Sequence, residues 1–505
     1  MASDDSRLPA PRPDGSAPGW FPDARDPYVL YHWDGSQWTA KRAMTGSGWE
    51  DVELEAPDEG RARSASASGT AAPSGTFRRR GAASTRGGAD ADGGSTALPA
   101  AAGTSRRMPR RAVVLSSVAV LAVAAVIGIV AVVSGSDSSA GAPPSPSMFT
   151  NFLYGVSATS ATNGWAVGDY DGPTTRGQRP LLEHWRGSSW STDAAPAGLG
   201  QCVLYGVSAR TASNVWAVGA AGTTLSHDFH TLVLRYNGTA WSRVASPSPG
   251  SGDLLRGVSA TSANDAWAVG SASSSAHSPT TPLILHWDGR AWSQVATPAV
   301  PGRSSLLTSV DSISAANAWA VGWYLDAHQA SRTLVLHWDG SAWSRVPSPN
   351  PGASNNELTA VSAAFGTNAW AVGYFGTQTS TRTMVLHWNG HGWTSVATPN
   401  PGSTANELLG VSAQSGSNVW AVGYFSSSTS NGTMLGLVSA MSLVLHYNGH
   451  TWSQQPSPNA QSGVTQFGAV ESTSPTSALA VGNYGAAFLS RAYAAHWNGS
   501  SWSPT

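Results

Sequence analysis

Six histidines return at one place in a repeated sentence: His184, His286, His337, His387, His446 and His496, with Arg235 standing in the second copy. Such a series suggests a metal centre, because neutral imidazole is a common ligand. Metal ligands must converge within a few ångströms, whereas equivalent positions in separate repeats converge only at a common axis. The histidines are therefore expected to be structural, hydrogen-bonding backbone between units, and no metal or other cofactor is assigned. Glu357 and Glu407 occupy matching sites just before the first strand of adjacent copies. Paired carboxyl groups can act as acid and base in glycoside hydrolysis, but repeat inheritance places these two equally well. No catalytic residue is assigned.

A third set is aromatic. Tyr170, Tyr324, Phe375, Phe425 and Tyr484 lie two residues beyond a recurrent glycine, and Trp323, Tyr374 and Tyr424 lie one residue beyond it. Rings there either pack between units or offer a stacking platform for sugars or peptides. Trp323-Tyr324, Tyr374-Phe375 and Tyr424-Phe425 fall in consecutive copies and are expected to form one continuous patch. Ala220-Ala221 and Ser271-Ala272 leave that patch one-sided.

The repeat places all these residues. A WAVG core puts Trp165, Trp216, Trp267, Trp319, Trp370 and Trp420 at steps of 50 to 52 residues, and Leu479 fills the seventh copy 59 residues on. A fixed period near 50 residues marks a propeller or array whose unit cannot bury its faces alone. In the fifth copy the expected strands are Leu358 to Ser362, Ala369 to Val372, Met384 to Trp388 and one starting at Trp393. Between the last two lies Asn237-Gly238, Asp288-Gly289, Asp339-Gly340, Asn389-Gly390, Asn448-Gly449 or Asn498-Gly499, and Arg186-Gly187 in the first copy. Asn-Gly and Asp-Gly accept φ > 0 at both central positions, so a two-residue hairpin turn is expected.

Strands such as Leu334-Val335-Leu336 are apolar at successive positions, which predicts cover on both sheet faces. Four-stranded antiparallel sheets stacked around an axis meet that demand. Seven copies predict an all-β, seven-bladed β-propeller over residues 151–505. Long loops between second and third strands, such as Asp169 to Pro180, share a face with the blade linkers. Binding residues are expected there. Each blade is contiguous in sequence, so the ring should close without a shared strand, and the divergent seventh copy predicts a weak seam.

The order "VSA, turn, WAVG, loop, apolar strand, aromatic, turn, Trp" resembles the Kelch repeat of galactose-oxidase-type propellers. The resemblance implies the same blade architecture. It departs in lacking the Gly-Gly pair after the second strand, where only single glycines such as Gly219, Gly270 and Gly373 are regular. Galactose-oxidase chemistry would need copper ligands and a Cys–Tyr crosslink, and no matching pattern surrounds the lone Cys202. Near the N-terminus, Trp20, Pro22, Asp23, Trp33, Asp34, Gly35, Trp38 and Thr39 resemble a short actinobacterial domain of unknown function with the signature GWYPDP and WDGxxWT.

The 505 residues carry a net charge of −1, so no basic face for nucleic acid is expected. One cysteine excludes an intrachain disulfide. Residues 1–16 read as a disordered tail and 17–49 as a small aromatic module that could dock a cytoplasmic partner. Residues 50–111 are rich in Ala, Gly, Ser, Arg and Pro and read as a disordered linker. Residues 112–133 carry no charge and would make a helix of about 33 Å, enough to cross a membrane; 134–150 is a linker. Arg106, Arg107, Arg110 and Arg111 precede this span, and Asp137 follows it. The positive-inside rule puts the N-terminus in the cytoplasm and the propeller outside a single-pass cell-membrane anchor. The function expected is recognition of a cell-surface glycan or protein, with a glycan-active hydrolase or lyase as the alternative.

Overall fold

The computed structural model describes residues 19–22, 29–33, 37–45, 48–52 and 150–505, the last except for 172–176, 225–227, 275–277, 378, 428–439, 460–463 and 486–489. The expected membrane span 112–133 and the tail 1–16 lie outside the described residues, as do all but the ends of both linkers. Among the described residues no helix is long and apolar enough to cross a membrane.

Two units divide after Val114. The first holds a four-stranded antiparallel meander of Gly19–Pro22, Val29–Trp33, Trp38–Thr45 and Gly48–Val52. Its last strand runs past the expected module boundary at residue 49.

The second unit holds seven four-stranded antiparallel sheets, each made of consecutive strands. Blade five is typical: Asn355–Phe365, Asn368–Gly376, Thr381–Trp388 and Trp393–Ser395. First strands of neighbouring blades lie side by side around the whole ring, including the seventh against the first. A seven-bladed β-propeller results, closed without a shared strand. The first two strands run several residues longer than the apolar motif, so Glu357 and Glu407 lie within first strands and not before them.

Strand pleating explains the unbroken apolar runs. In blade five Ala369 and Ala371 face blade four, while Trp370 and Val372 face blade six. The core tryptophan is a wedge. Trp319 packs against His337 of its own blade at 4.3 Å, and against Trp388 at 4.9 Å and Trp393 at 5.1 Å in the next. At the closing seam Leu479 holds this place and packs with Trp185.

The recurrent glycine has a steric cause. A Cβ on Gly373 would lie 1.9 Å from the Glu357 carbonyl oxygen, so no other residue fits beside the first strand. The hairpin between third and fourth strands differs from expectation. Paired Tyr236 and Trp241 enclose four residues, and only the glycine has positive φ (Gly238, 100°). Asn237 Oδ1 accepts from the amides of Thr239 at 2.9 Å and Ala240 at 3.0 Å. Asn and Asp are needed there as side-chain acceptors that cap the turn.

Candidate functional site

The seven first strands enclose an axial channel of about 510 Å³, a volume suited to a small ligand. Each first strand carries a β-bulge just after the residue that pairs with the recurrent glycine. A bulge inserts an unpaired residue and re-aims its side chain. The bulged residues are Tyr154, Tyr205, Arg256, Thr308, Thr359, Leu409 and Gly468, and all line the channel.

This column divides into two arcs. Thr308 Oγ1 lies 3.0 Å from the Val321 carbonyl and 2.9 Å from that of Leu358 in the next blade. Thr359 repeats the arrangement on Val372 at 3.0 Å and Leu408 at 2.8 Å. These hydroxyls stitch blades together. Blades one to three instead carry long side chains that make a stack. Phe152 and Tyr154 ring centroids lie 6.0 Å apart, Tyr154 and Tyr205 5.5 Å apart, and the Arg256 guanidinium stands 5.0 Å over Tyr205. Burial pushes the Arg256 pKa below its ordinary value. Its Nε is buried and has no hydrogen-bond partner among the described residues.

Beside the stack, Asp169 is 2% exposed and accepts from Gln178 Nε2 at 2.9 Å and from the Tyr154 hydroxyl. Burial raises its pKa to about 7, against the lowering effect of these bonds. On the far flank of the arc, in blade seven, Gln466 Nε2 donates to Asn483 Oδ1 at 2.8 Å, and both residues line the channel.

A second level of the channel is a structural circuit. Ser157, Ser208, Ser259, Asp311, Ser362 and Ser412 each accept from a backbone amide of the next blade, at 2.7 to 3.1 Å. Glu471 holds the seventh position. Its pKa rises to about 8 through burial and the neighbouring charge of Asp311.

The expected sites fall elsewhere. The six recurrent histidines sit in six separate blades, and among the described residues no group of His, Cys, Asp and Glu could hold a metal. Five of them bond side chains and not the expected backbone, while His387 Nε2 is buried without a hydrogen-bond partner among the described residues. His337 Nε2 bonds Asn317 Oδ1 at 3.0 Å, and His286 Nε2 bonds Asp265 Oδ1 at 2.7 Å, while each ring packs on its own blade's tryptophan. Glu357 and Glu407 are buried, with pKa values raised by burial to about 7. Glu357 accepts from the Tyr374 hydroxyl at 2.6 Å, and Glu407 accepts from the Tyr424 hydroxyl.

Among the aromatic candidates, Trp323 and Tyr374 are each 3% exposed and present no ring face to solvent. Trp323 packs with Leu306 and Leu325. Tyr170, Tyr324, Phe375 and Phe425 are half-buried against inter-blade clusters, and the half-buried Tyr484 meets Tyr493 edge-on at 5.5 Å. Tyr424 is half-buried as well. These rings do not join into one exposed patch. Pleating turns alternate residues into the two blade interfaces, and the motif alone did not show that strands one and two extend past the glycine and cover them.

The channel stack escaped the sequence reading because its signal is a mismatch. Aligning the seven copies on their first strands gives Tyr, Tyr, Arg, Thr, Thr, Leu, Gly in a column where neighbouring columns repeat.

No protein-family model matches this chain, and no curated protein matches it. Some solved structures are similar to it at low identity. YjhT is 13% identical over 62% of this chain and 100% of its own, with a TM-score of 0.40. A six-bladed fucose-recognising lectin from Aleuria aurantia is 10% identical over 70% of this chain and 95% of its own, at 0.36. An ulvan lyase of polysaccharide lyase family PL25 is 9% identical over 71% and 97%, at 0.43.

Proposed function

We propose that this chain is a membrane-anchored, extracytoplasmic recognition protein whose Kelch-like propeller binds a cell-envelope glycan without turning it over. The observation that carries the reading is the break in seven-fold repetition at the channel bulges. Where the other blades carry two stitching threonines, a leucine and a glycine, blades one to three carry Tyr154, Tyr205 and Arg256. Tyrosine rings give contact area at low entropic cost and suit the apolar faces of sugars. Half-buried Tyr324, Phe375 and Phe425 are secondary contacts in this reading. In this reading the glycan places hydroxyls against Gln466 and Asn483, which line the channel.

The enzyme alternative has one observation in its favour. Asp169 with a pKa near 7, bonded to Tyr154, is a proton-handling pair at the same wall. A glycan array on the full chain, followed by a turnover assay on each hit, decides between them. Binding without product supports recognition; turnover abolished in Asp169→Asn replaces it with catalysis. The topology is tested by protease on intact cells, which should release a propeller-sized fragment and spare the N-terminal module. Protection of the propeller would overturn the orientation.

A further inference from the structure

Arg256 is a cation that the fold does not use. The structural positions around it are accounted for: the bulge threonines stitch blades, the serine circuit accepts backbone amides, and the histidines cap second strands. Arg256 contributes to none of these. No described carboxylate forms an ion pair with it, and its Nε is buried without a partner. Arg256 is half-buried, with Nε covered and the side chain lining the channel, and a partly desolvated guanidinium without an anion gains the fold little. Its one strong contact is the face of Tyr205, which fixes the guanidinium plane beside the channel at 5.0 Å. A guanidinium held in place and lacking an anion matches a carboxylate, which it can take in two parallel N–H···O bonds.

The groups next to it describe the rest of the ligand. Tyr154 and Tyr205 continue from Arg256 as an aromatic wall, and Gln466 with Asn483 closes the arc from blade seven. A ligand bridging this arc needs an anionic group, a flat or ring-shaped apolar face and several hydroxyls. Resting on the glycan reading above, we propose that the channel takes a saccharide bearing a carboxylate, a uronic acid unit, with its carboxylate on Arg256 and its ring on Tyr205. The carboxyl group at this arc, Asp169, is already engaged by Tyr154 and Gln178, and Asp311 and Glu471 lie at the second level of the channel.

The test uses the full chain and two probes of the same sugar backbone, one charged and one neutral: trigalacturonate and its fully methyl-esterified form, titrated calorimetrically. Trigalacturonate should bind at least ten-fold more tightly than the ester. Arg256→Gln should erase that preference, bringing acid binding down to the level of the ester, without lowering the melting temperature. Arg256→Lys should restore part of the preference, keeping charge but not the fork. Tyr205→Ala should weaken both probes together. Equal binding of acid and ester by the unmodified chain overturns the uronate proposal and leaves glycan recognition standing. A large fall in melting temperature for both Arg256 variants also overturns it, since the arginine would then be structural. Failure of both probes to bind, while other glycans on the array do, overturns the uronate proposal alone; failure of every glycan overturns the recognition reading as well.

Discussion

The tryptophan wedge allows one perturbation to be worked through. Replacing Trp319 by Leu copies into the interface of blades four and five the residue that nature placed at Leu479. Trp319 is 1% exposed and makes three ring contacts, with His337, Trp388 and Trp393. Aromatic pairs contribute about 0.5–1.5 kcal/mol each beyond their buried area, so their loss amounts to about 3 kcal/mol. Incomplete refilling of the indole volume adds to this. With an unfolding entropy of about 2.1 cal/mol/K per residue and roughly 350 residues, a loss of 3 kcal/mol lowers the melting temperature by about 4 °C if the ring melts as one unit. Locally the same energy raises opening of that interface by about 100-fold. Calorimetry gives the first number and hydrogen exchange the second. In the unmodified protein exchange should already be fastest where blades seven and one meet, where Leu479 replaces the wedge and Glu471 interrupts the circuit of serines. A fall in melting temperature below about 1 °C for Trp319→Leu, or uniform protection around the ring, would refute the wedge argument.

Three further outcomes follow from the same geometry. Trp323→Ala and Tyr374→Ala should each cost about 3–5 kcal/mol of stability, as for other buried aromatics; unchanged melting with lost glycan binding would return them to a binding surface. Tyr374→Phe should cost about 1–3 kcal/mol by removing one of the two side-chain donors to buried Glu357, the other being Ser331. Stability should fall as pH rises from about 4.5 to about 7, because Glu357 and Glu407 keep their protons in the fold up to about 7 and release them earlier when unfolded. The folded state binds more protons across that window, so the slope is negative and the loss reaches about 3 kcal/mol per residue. Denaturant titrations at pH 5 and 8 measure it, and the double variant Glu357→Gln and Glu407→Gln should reduce the slope, leaving the part that Asp169, Glu183 and Glu471 contribute with the same sign.

Periodicity made the propeller legible. Seven returns of one motif, Asn-Gly or Asp-Gly between strands, and apolar runs covered on both faces leave few folds that bury every unit. The histidines were read as structural for a sound reason, since repeat symmetry keeps them apart. Their partners were missed because the Asn that opens the second strand and the histidine that closes the third stand 20 residues apart, as in Asn317 and His337. The hairpin capping was missed because Asn-Gly spacing alone does not distinguish a turn set by backbone φ from one held by a side-chain acceptor.

The amino-acid sequence by itself determined the repeat, its strand content and the ring of tryptophans, since these depend on local patterning that recurs in every copy. Only the tertiary structure decided which aromatic rings are covered and which residues face the axis. Pleat alternation assigns a side chain to one interface or the other, and a shift of one residue in register reverses that choice. The bulge is such a shift. It turns Tyr154, Tyr205 and Arg256 into the channel, and its position depends on a carbonyl of one strand pressing against a glycine of the next. That contact exists only once the two strands have paired.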